Sequence, residues 1–252
     1  MPFRLPTPVL LLLIGLVFVI LCGLGVWQVE RGIWKANLVA TRNAQLAGQP
    51  LSAADARTMS PDSLEYHAVS LEGTWDADHV MILANRARYG RKGENIVQPL
   101  IIAPGEAVLV DRGWYPSGER EAALKRLAST TGPTHGLARY AEGLTASKTG
   151  AGTWTGIAPD AMGVGLPYRL LPWFVTEGQL DEGGDYASMP TAFPVQGYQR
   201  YVSNVSHTEY ALTWFGIAAT LAGVSIFRFV IEPRRARRAQ AAAGAEEPQH
   251  PT

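Results

Sequence analysis

Apolar residues gather at the two ends of this chain and thin out between them. Val9 to Trp27 (VLLLLIGLVFVILCGLGVW) and Ala211 to Ile231 (ALTWFGIAATLAGVSIFRFVI) are unbroken runs, and neither carries a charge before Arg228. At about 1.5 Å per residue, each helix would cover a hydrocarbon core of roughly 30 Å. A helix packed on a soluble core shows an apolar stripe; one apolar all round is solvated by lipid or deeply buried. The pattern therefore predicts two transmembrane helices, residues 9–27 and 211–231, bracketing one domain at 28–210. A short terminus, 1–8, precedes them and a basic tail, 232–252, follows.

Within the central segment the period shortens to that of strands. His67–Trp75 alternates loosely, Asp76-Ala77-Asp78 marks a turn, and His79–Arg86 is a second run. Ile96–Ile102 and Ala107–Trp114 flank Pro104-Gly105-Glu106 and predict a hairpin. His135–Leu144 and Gln196–Val202 are further strand candidates, and Glu119–Ser129 reads as a short helix. Thr145–Pro190 is dense in Gly, Pro and aromatics and reads as a long loop with irregular strands. Short strands between Gly and Pro turns predict a mainly antiparallel domain, barrel-like or sandwich-like, at about 180 residues large enough for one core.

Local charge orients the spans. Arg234, Arg235, Arg237 and Arg238 follow the second run and Arg4 precedes the first, although the whole chain is neutral, with 22 basic and 22 acidic residues. Basic residues beside a span stay cytoplasmic, so both termini are expected there and the central domain outside. The same tail could meet anionic lipid or nucleic acid; beside a span it reads as an orientation signal, so lipid is an expected partner and nucleic acid is not. The first run is long for a signal peptide, lacks a nearby small-x-small site, and reads as a retained anchor. No Arg- and Ser-rich transit segment stands before it, which favours a bacterial inner membrane.

Cys22 is the single cysteine and lies inside the first run, so the outer domain relies on its core and paired-thiol chemistry is excluded. No GxSxG elbow, phosphate loop or HExxH motif occurs, and nothing in the pattern points to an enzyme. Asp76-Ala77-Asp78-His79 is better read as a turn than as a metal site. His67 and His135 lie in strand-like runs without sequence partners.

The membrane boundary is more informative. Trp27, Arg31 and Trp34 fall at i, i+4 and i+7, and His207, Tyr210, Ala211 and Trp214 at i, i+3, i+4 and i+7. Each set shares one helix face, and antiparallel spans would bring the two sets to the same depth. An aromatic belt accounts for the tryptophans. It leaves the imidazole and the guanidinium unexplained. A haem would use all of them, through an axial imidazole, flanking rings and an arginine beside the propionates.

Four blocks in order resemble the Surfeit locus protein 1 family. They are Leu24-Gly25-Val26-Trp27-Gln28-Val29-Glu30-Arg31-Gly32-Ile33-Trp34-Lys35; Leu71–Asp76, continued by Asn85-Arg86 and Gln98-Pro99-Leu100; Val108-Leu109-Val110-Asp111-Arg112-Gly113-Trp114-Tyr115-Pro116; and His207-Thr208-Glu209-Tyr210-Ala211-Leu212-Thr213-Trp214-Phe215-Gly216. The chain departs from the family at Asp111, commonly Asn, at Ser206, often Asn, and at Thr208, often Leu; Asn204 does not evidently compensate.

The resemblance implies an assembly factor, not an enzyme, for a haem-copper terminal oxidase. It would bind haem a with His207 on the iron, Trp27 and Trp214 beside the ring, Trp34 and Tyr210 nearby, and Arg31 or Lys35 at the propionates. Partners would be the oxidase catalytic subunit and the haem a synthase, with Arg86, Arg112 and Trp114 as candidate partner contacts. Arg112 reads equally as a structural ion pair with Asp111 or another carboxylate, and Trp114 as core. A scaffold that stabilises the apo subunit without touching haem is the alternative.

Overall fold

The computed structural model describes residues 6–129, 132–141, 145–181, 184, 186–199 and 206–245. They form two units, one made of the terminal stretches up to Leu38 and beyond 202, the other of residues 39–202. Arg4, Asn204 and the strand candidates' residues at 142–144 and 200–202 lie outside the described residues.

Helix α1 (Thr7–Leu46), which begins in the first unit and ends in the second, is one uninterrupted rod of 40 residues, about 60 Å at 1.5 Å per residue. The first apolar run fills its N-terminal half. Helix α6 (His207–Ile226) carries the second run, a π-helical turn (Phe227–Ile231) follows, and α7 (Glu232–Ala245) holds the basic tail. Both rods include a stretch long and apolar enough to cross a membrane. Ser206 caps α6, its Oγ accepting from the Glu209 N–H at 3.4 Å. Hydroxyls inside α6 turn back on their own helix: Thr213 donates to the Glu209 carbonyl, Thr220 to Gly216 and Ser225 to Leu221, at 2.6–2.9 Å. Each of these bonds satisfies a hydroxyl donor within its own helix.

The second unit is a single sheet. Its strands are β1 (Leu51–Ser52), β2 (Ala68–Leu71), β3 (Thr74–Trp75), β4 (Met81–Arg88), β5 (Arg91–Ala103), β6 (Glu106–Pro116), β7 (Thr134–Tyr140) and β8 (Arg169–Glu177), with short helices α2 (Ala53–Thr58), α3 (Pro61–Leu64), α4 (Arg120–Ala128) and α5 (Pro159–Met162). The order is β1-β2-β7-β8-β6-β5-β3, with β4 also on β5. It is an open half-barrel of mixed type: β1 pairs with β2, and β6 with β8, in parallel; the other pairings are antiparallel. The expected antiparallel barrel or sandwich is thus corrected in part. The physical reason is the long crossover after β6, which lets the chain return beside that strand in the same direction.

The hairpin at Pro104-Gly105 forms as expected, with Gly105 at φ +73° and β5 and β6 longer than the sequence suggested. A second hairpin joins β4 to β5 through Tyr89 (φ +52°) and Gly90 (φ +68°), the positive-φ pair of a tight turn. The predicted helix is α4, and His79–Arg86 falls largely on β4. Gln196–Val202 forms no strand among the described residues; its described part makes one isolated bridge, Leu180↔Tyr198, next to the Trp114↔Val195 bridge. The segment read as a loop contains β8, which sits in the middle of the sheet between β6 and β7.

Strand β6 is buried on both faces, which explains its consecutive apolar positions. Val108 and Val110 join Val69, Leu71, Leu100, Trp173 and Val175 under α2 and α3. Ala107 and Leu109 face the opposite way, onto Leu83, Val97, Ile157, Met162 and Leu170.

Candidate functional site

Helices α1 and α6 meet antiparallel through small residues. A Cβ on Gly25 would come within 2.6 Å of the Phe215 ring, and one on Gly32 within 3.2 Å of the His207 Cβ. Gly25 and Gly32 are two helical turns apart on α1, as Phe215 and His207 nearly are on α6, so these glycines set the approach. Leu21 and Gly25 on one helix, and Ala211 and Ala218 on the other, are buried. Small residues at such a seam let two helix backbones come close.

Beside the seam lies a cavity of about 530 Å³, lined by Gln28, Val29, Gly32, Ile33, Lys35 and Ala36 of α1 and by Ser206, His207, Thr208, Ala211, Leu212 and Phe215. Its walls are mainly aliphatic and aromatic. His207 Nδ1 lies 2.9 Å from Gln28 Oε1. An amide oxygen can only accept, so this contact is a hydrogen bond in the tautomer that carries its proton on Nδ1 and its lone pair on Nε2. Lys35 adds an ammonium to the lining. An imidazole with a free acceptor nitrogen, apolar walls and one cation are the groups a flat, metal-centred, anionic macrocycle requires.

Of the haem contacts expected from sequence, this cavity gathers His207 and Lys35. Gln28, Gly25 and Gly32 project about 130° around α1 from Trp27, Arg31 and Trp34, at 100° per residue. Those three share a face, with the Arg31 guanidinium 4.3 Å from the Trp34 ring centre. Trp27 and Trp34 are about half exposed, at 53% and 50%. Tyr210, also exposed, and half-buried Trp214 flank His207 on the side of α6 turned from Thr208, Leu212 and Phe215. Gln28, Gly25 and Gly32 carry the site without having been singled out. Their signal was small residues seven apart with an amide between them at the polar end of an apolar run.

In the sheet domain the candidate partner contacts divide. Arg112 and Trp114 are 1% and 2% exposed, so they are core residues and present no surface to a partner. Arg112 is the structural ion pair, but with Glu177 rather than its neighbour Asp111: Nε donates to Glu177 Oε2 at 2.5 Å and Nη1 to Gln98 Oε1 at 2.8 Å. Its guanidinium carbon stacks 3.6 Å from the Trp75 ring centre. Thr134 and Gln196 also donate to Glu177, at 2.9 and 2.8 Å. Burial pulls the Arg112 pKa down while Glu177 holds it up. Asp111 accepts from Asn95 Nδ2 and from the Gly113 N–H; burial nonetheless pushes its carboxyl above the usual range. Trp114 packs with Tyr89 and Phe193. Arg86 is half-buried and donates to the Thr155 carbonyl at 3.0 Å. Asp76 forms the expected turn, accepting from the N–H groups of Asp78 and His79 and from Tyr168. No group of three or more metal-ligating side chains occurs among the described residues.

Two apolar helices thus present one imidazole in an apolar cavity, and the sheet domain pairs its buried Arg112 with Glu177. The SURF1 family model matches residues 15–219, from within the first apolar run through the sheet domain into α6. The chain belongs to the SURF1 family. It is 26% identical over 216 residues to a SURF1-like protein of Rickettsia felis, covering 83% of this chain and 92% of that one. It is 24% identical over 229 residues to Surfeit locus protein 1 of Mus musculus, covering 82% and 72%. A shorter match, 34% over 110 residues and 41% and 28% of the two chains, is to the cytochrome oxidase assembly protein SHY1 of Saccharomyces cerevisiae.

Proposed function

We propose that this protein is an assembly factor for a haem-copper cytochrome oxidase and that it holds haem a as cargo at His207 before the catalytic subunit receives it. Family membership and the likeness to a cytochrome oxidase assembly protein support the oxidase role. The observation that carries the cargo reading is the imidazole of His207, held at Nδ1 by Gln28, on the wall of an apolar cavity between two membrane-type helices. One protein imidazole gives firm but reversible ligation, which transfer requires. Lys35, on the cavity lining, would meet a propionate. Arg31 instead stacks on Trp34, on the face turned from the cavity.

In this reading both helices cross the bacterial inner membrane. The exposed arginines of α7 (Arg234, Arg235, Arg237 and Arg238) stay on the cytoplasmic side against anionic lipid, and the sheet domain lies outside. The exposed stripe of Trp27, Arg31 and Trp34 favours a second role beside the cargo site. It offers a face on which the oxidase subunit or the haem a synthase can dock. Were the protein a scaffold only, this stripe and not the cavity would be its working surface.

The test is the absorption spectrum of protein purified from cells that make haem a, beside a folded His207→Ala variant. A haem a band in the wild type that the variant loses supports the carrier. No haem in either favours the scaffold, and equal haem in both removes His207 from the site.

A further inference from the structure

We infer that Gln28 is the positioning residue for His207: its amide oxygen selects the Nδ1–H tautomer and aims Nε2, as the ligating atom, at the cavity. The inference rests on the carrier reading above.

Three observations converge on it. Nδ1 and Gln28 Oε1 are 2.9 Å apart across the helix pair. Gly32, four residues on, leaves the room that brings His207 this close, since a Cβ there would crowd the His207 Cβ at 3.2 Å. Both partners line the same cavity. Free neutral imidazole places its proton on either nitrogen, and only the form protonated at Nδ1 presents a lone pair at Nε2. An acceptor fixed on Nδ1 removes the wrong tautomer and limits rotation of the ring, as outer partners of metal-bound histidines do. A neutral amide does this more weakly than a carboxylate would. That suits cargo which must leave, because imidazole polarised by a carboxylate holds iron more tightly.

The polarity of Gln28 also has a cost that a function explains. An amide at the edge of a span is stabilised in place only when it is hydrogen-bonded. Here its acceptor is satisfied by the one histidine of the helix pair among the described residues.

The experiment uses the full chain in lipid nanodiscs, as wild type, Gln28→Met, Gln28→Glu and His207→Ala. Gln28→Met keeps the length and loses the acceptor; Gln28→Glu keeps the acceptor and adds charge. Histidine ¹⁵N shifts in the cargo-free protein read the tautomer directly. We expect Nδ1–H alone in the wild type and a mixture in Gln28→Met. Titration with haem a should show affinity falling about 10–100-fold in Gln28→Met and restored in Gln28→Glu. The bound haem in Gln28→Glu should have a lower midpoint potential than in the wild type, a readout that packing alone would not move. Wild type that takes up haem a, with Gln28→Met unchanged in tautomer and affinity, overturns the inference and leaves the carrier standing. Wild type that takes up none overturns both. Circular dichroism of each variant separates loss of binding from loss of fold.

Discussion

Replacing Arg112 by Met tests whether the sheet domain is held by a buried charge network or merely contains one. The substitution removes a 2.5 Å bond to Glu177, a 2.8 Å bond to Gln98 and the stack on Trp75. Glu177, 7% exposed, is left as a buried carboxylate without its cation. Breaking a buried pair from one side costs about 3–5 kcal/mol, mostly for the charge left behind. Thr134 and Gln196 still donate to Glu177 and offset part of that, so the lower half of the range, about 3–4 kcal/mol, is expected. For a domain of this size, roughly 2–4 °C per kcal/mol translates this into a fall in Tm of about 6–16 °C. Glu177→Gln should cost a similar amount by stranding the guanidinium. The double variant should be markedly less destabilised than the sum, because no buried charge remains. The assay is urea and thermal unfolding of the full chain in detergent, followed by near-UV circular dichroism from Trp75, Trp114 and Trp173. Single variants costing under about 1 kcal/mol, the range of an exposed pair, would refute the reasoning. So would strict additivity in the double.

Three further outcomes follow from the same domain. Asp111 has a folded pKa raised by burial, so its contribution to stability is fully present below its unfolded value of about 3.9 and is lost as pH rises through the folded value. Asp111→Asn should abolish that slope and be at least as stable as wild type at neutral pH; parallel urea midpoints across the acid range in both proteins would contradict this. Glu94 behaves oppositely: burial raises its pKa, but hydrogen bonds from Arg120 and Tyr115 win and lower it. Its contribution is present above about pH 4.3 and is lost as pH falls through the lower folded value. Because Arg120 is half exposed, Glu94→Gln should cost no more than about 1 kcal/mol at pH 7, read by the same urea midpoints. Gly113 sits at φ +115°, where a Cβ would meet the Val195 carbonyl oxygen at 2.6 Å. Gly113→Ala should therefore cost about 1–3 kcal/mol and loosen the Val195 bridge to Trp114, seen as faster amide exchange at both residues.

The sequence by itself determined whatever depends on short-range pattern. Unbroken apolarity marked both rods, Pro104-Gly105 marked the central hairpin, and α4 was readable between Glu119 and Ser129. The missed strand shows where that information ends. β8 contains Pro172, which normally argues against a central strand, yet the pairing with β6 is irregular there, between Ala107 and Leu109, and the ladder to β7 begins at Trp173. A proline is tolerated where a bulge already gives up a hydrogen bond, and no local pattern announces a bulge. The parallel pairing of β6 with β8 is likewise a product of the long crossover.

The site divides in the same way. His207 was legible because an imidazole at the mouth of an apolar run is chemically out of place. Arg112 was legible as a charge but not as a buried one, since Glu177 is distant in sequence and only the sheet brings the two together. The tertiary structure alone decided that His207 faces Gln28 and Lys35 rather than Trp27 and Arg31. Helical spacing groups the residues of one rod correctly. Which of its faces meets the other rod depends on where glycines let the backbones approach, a contact between residues nearly two hundred positions apart.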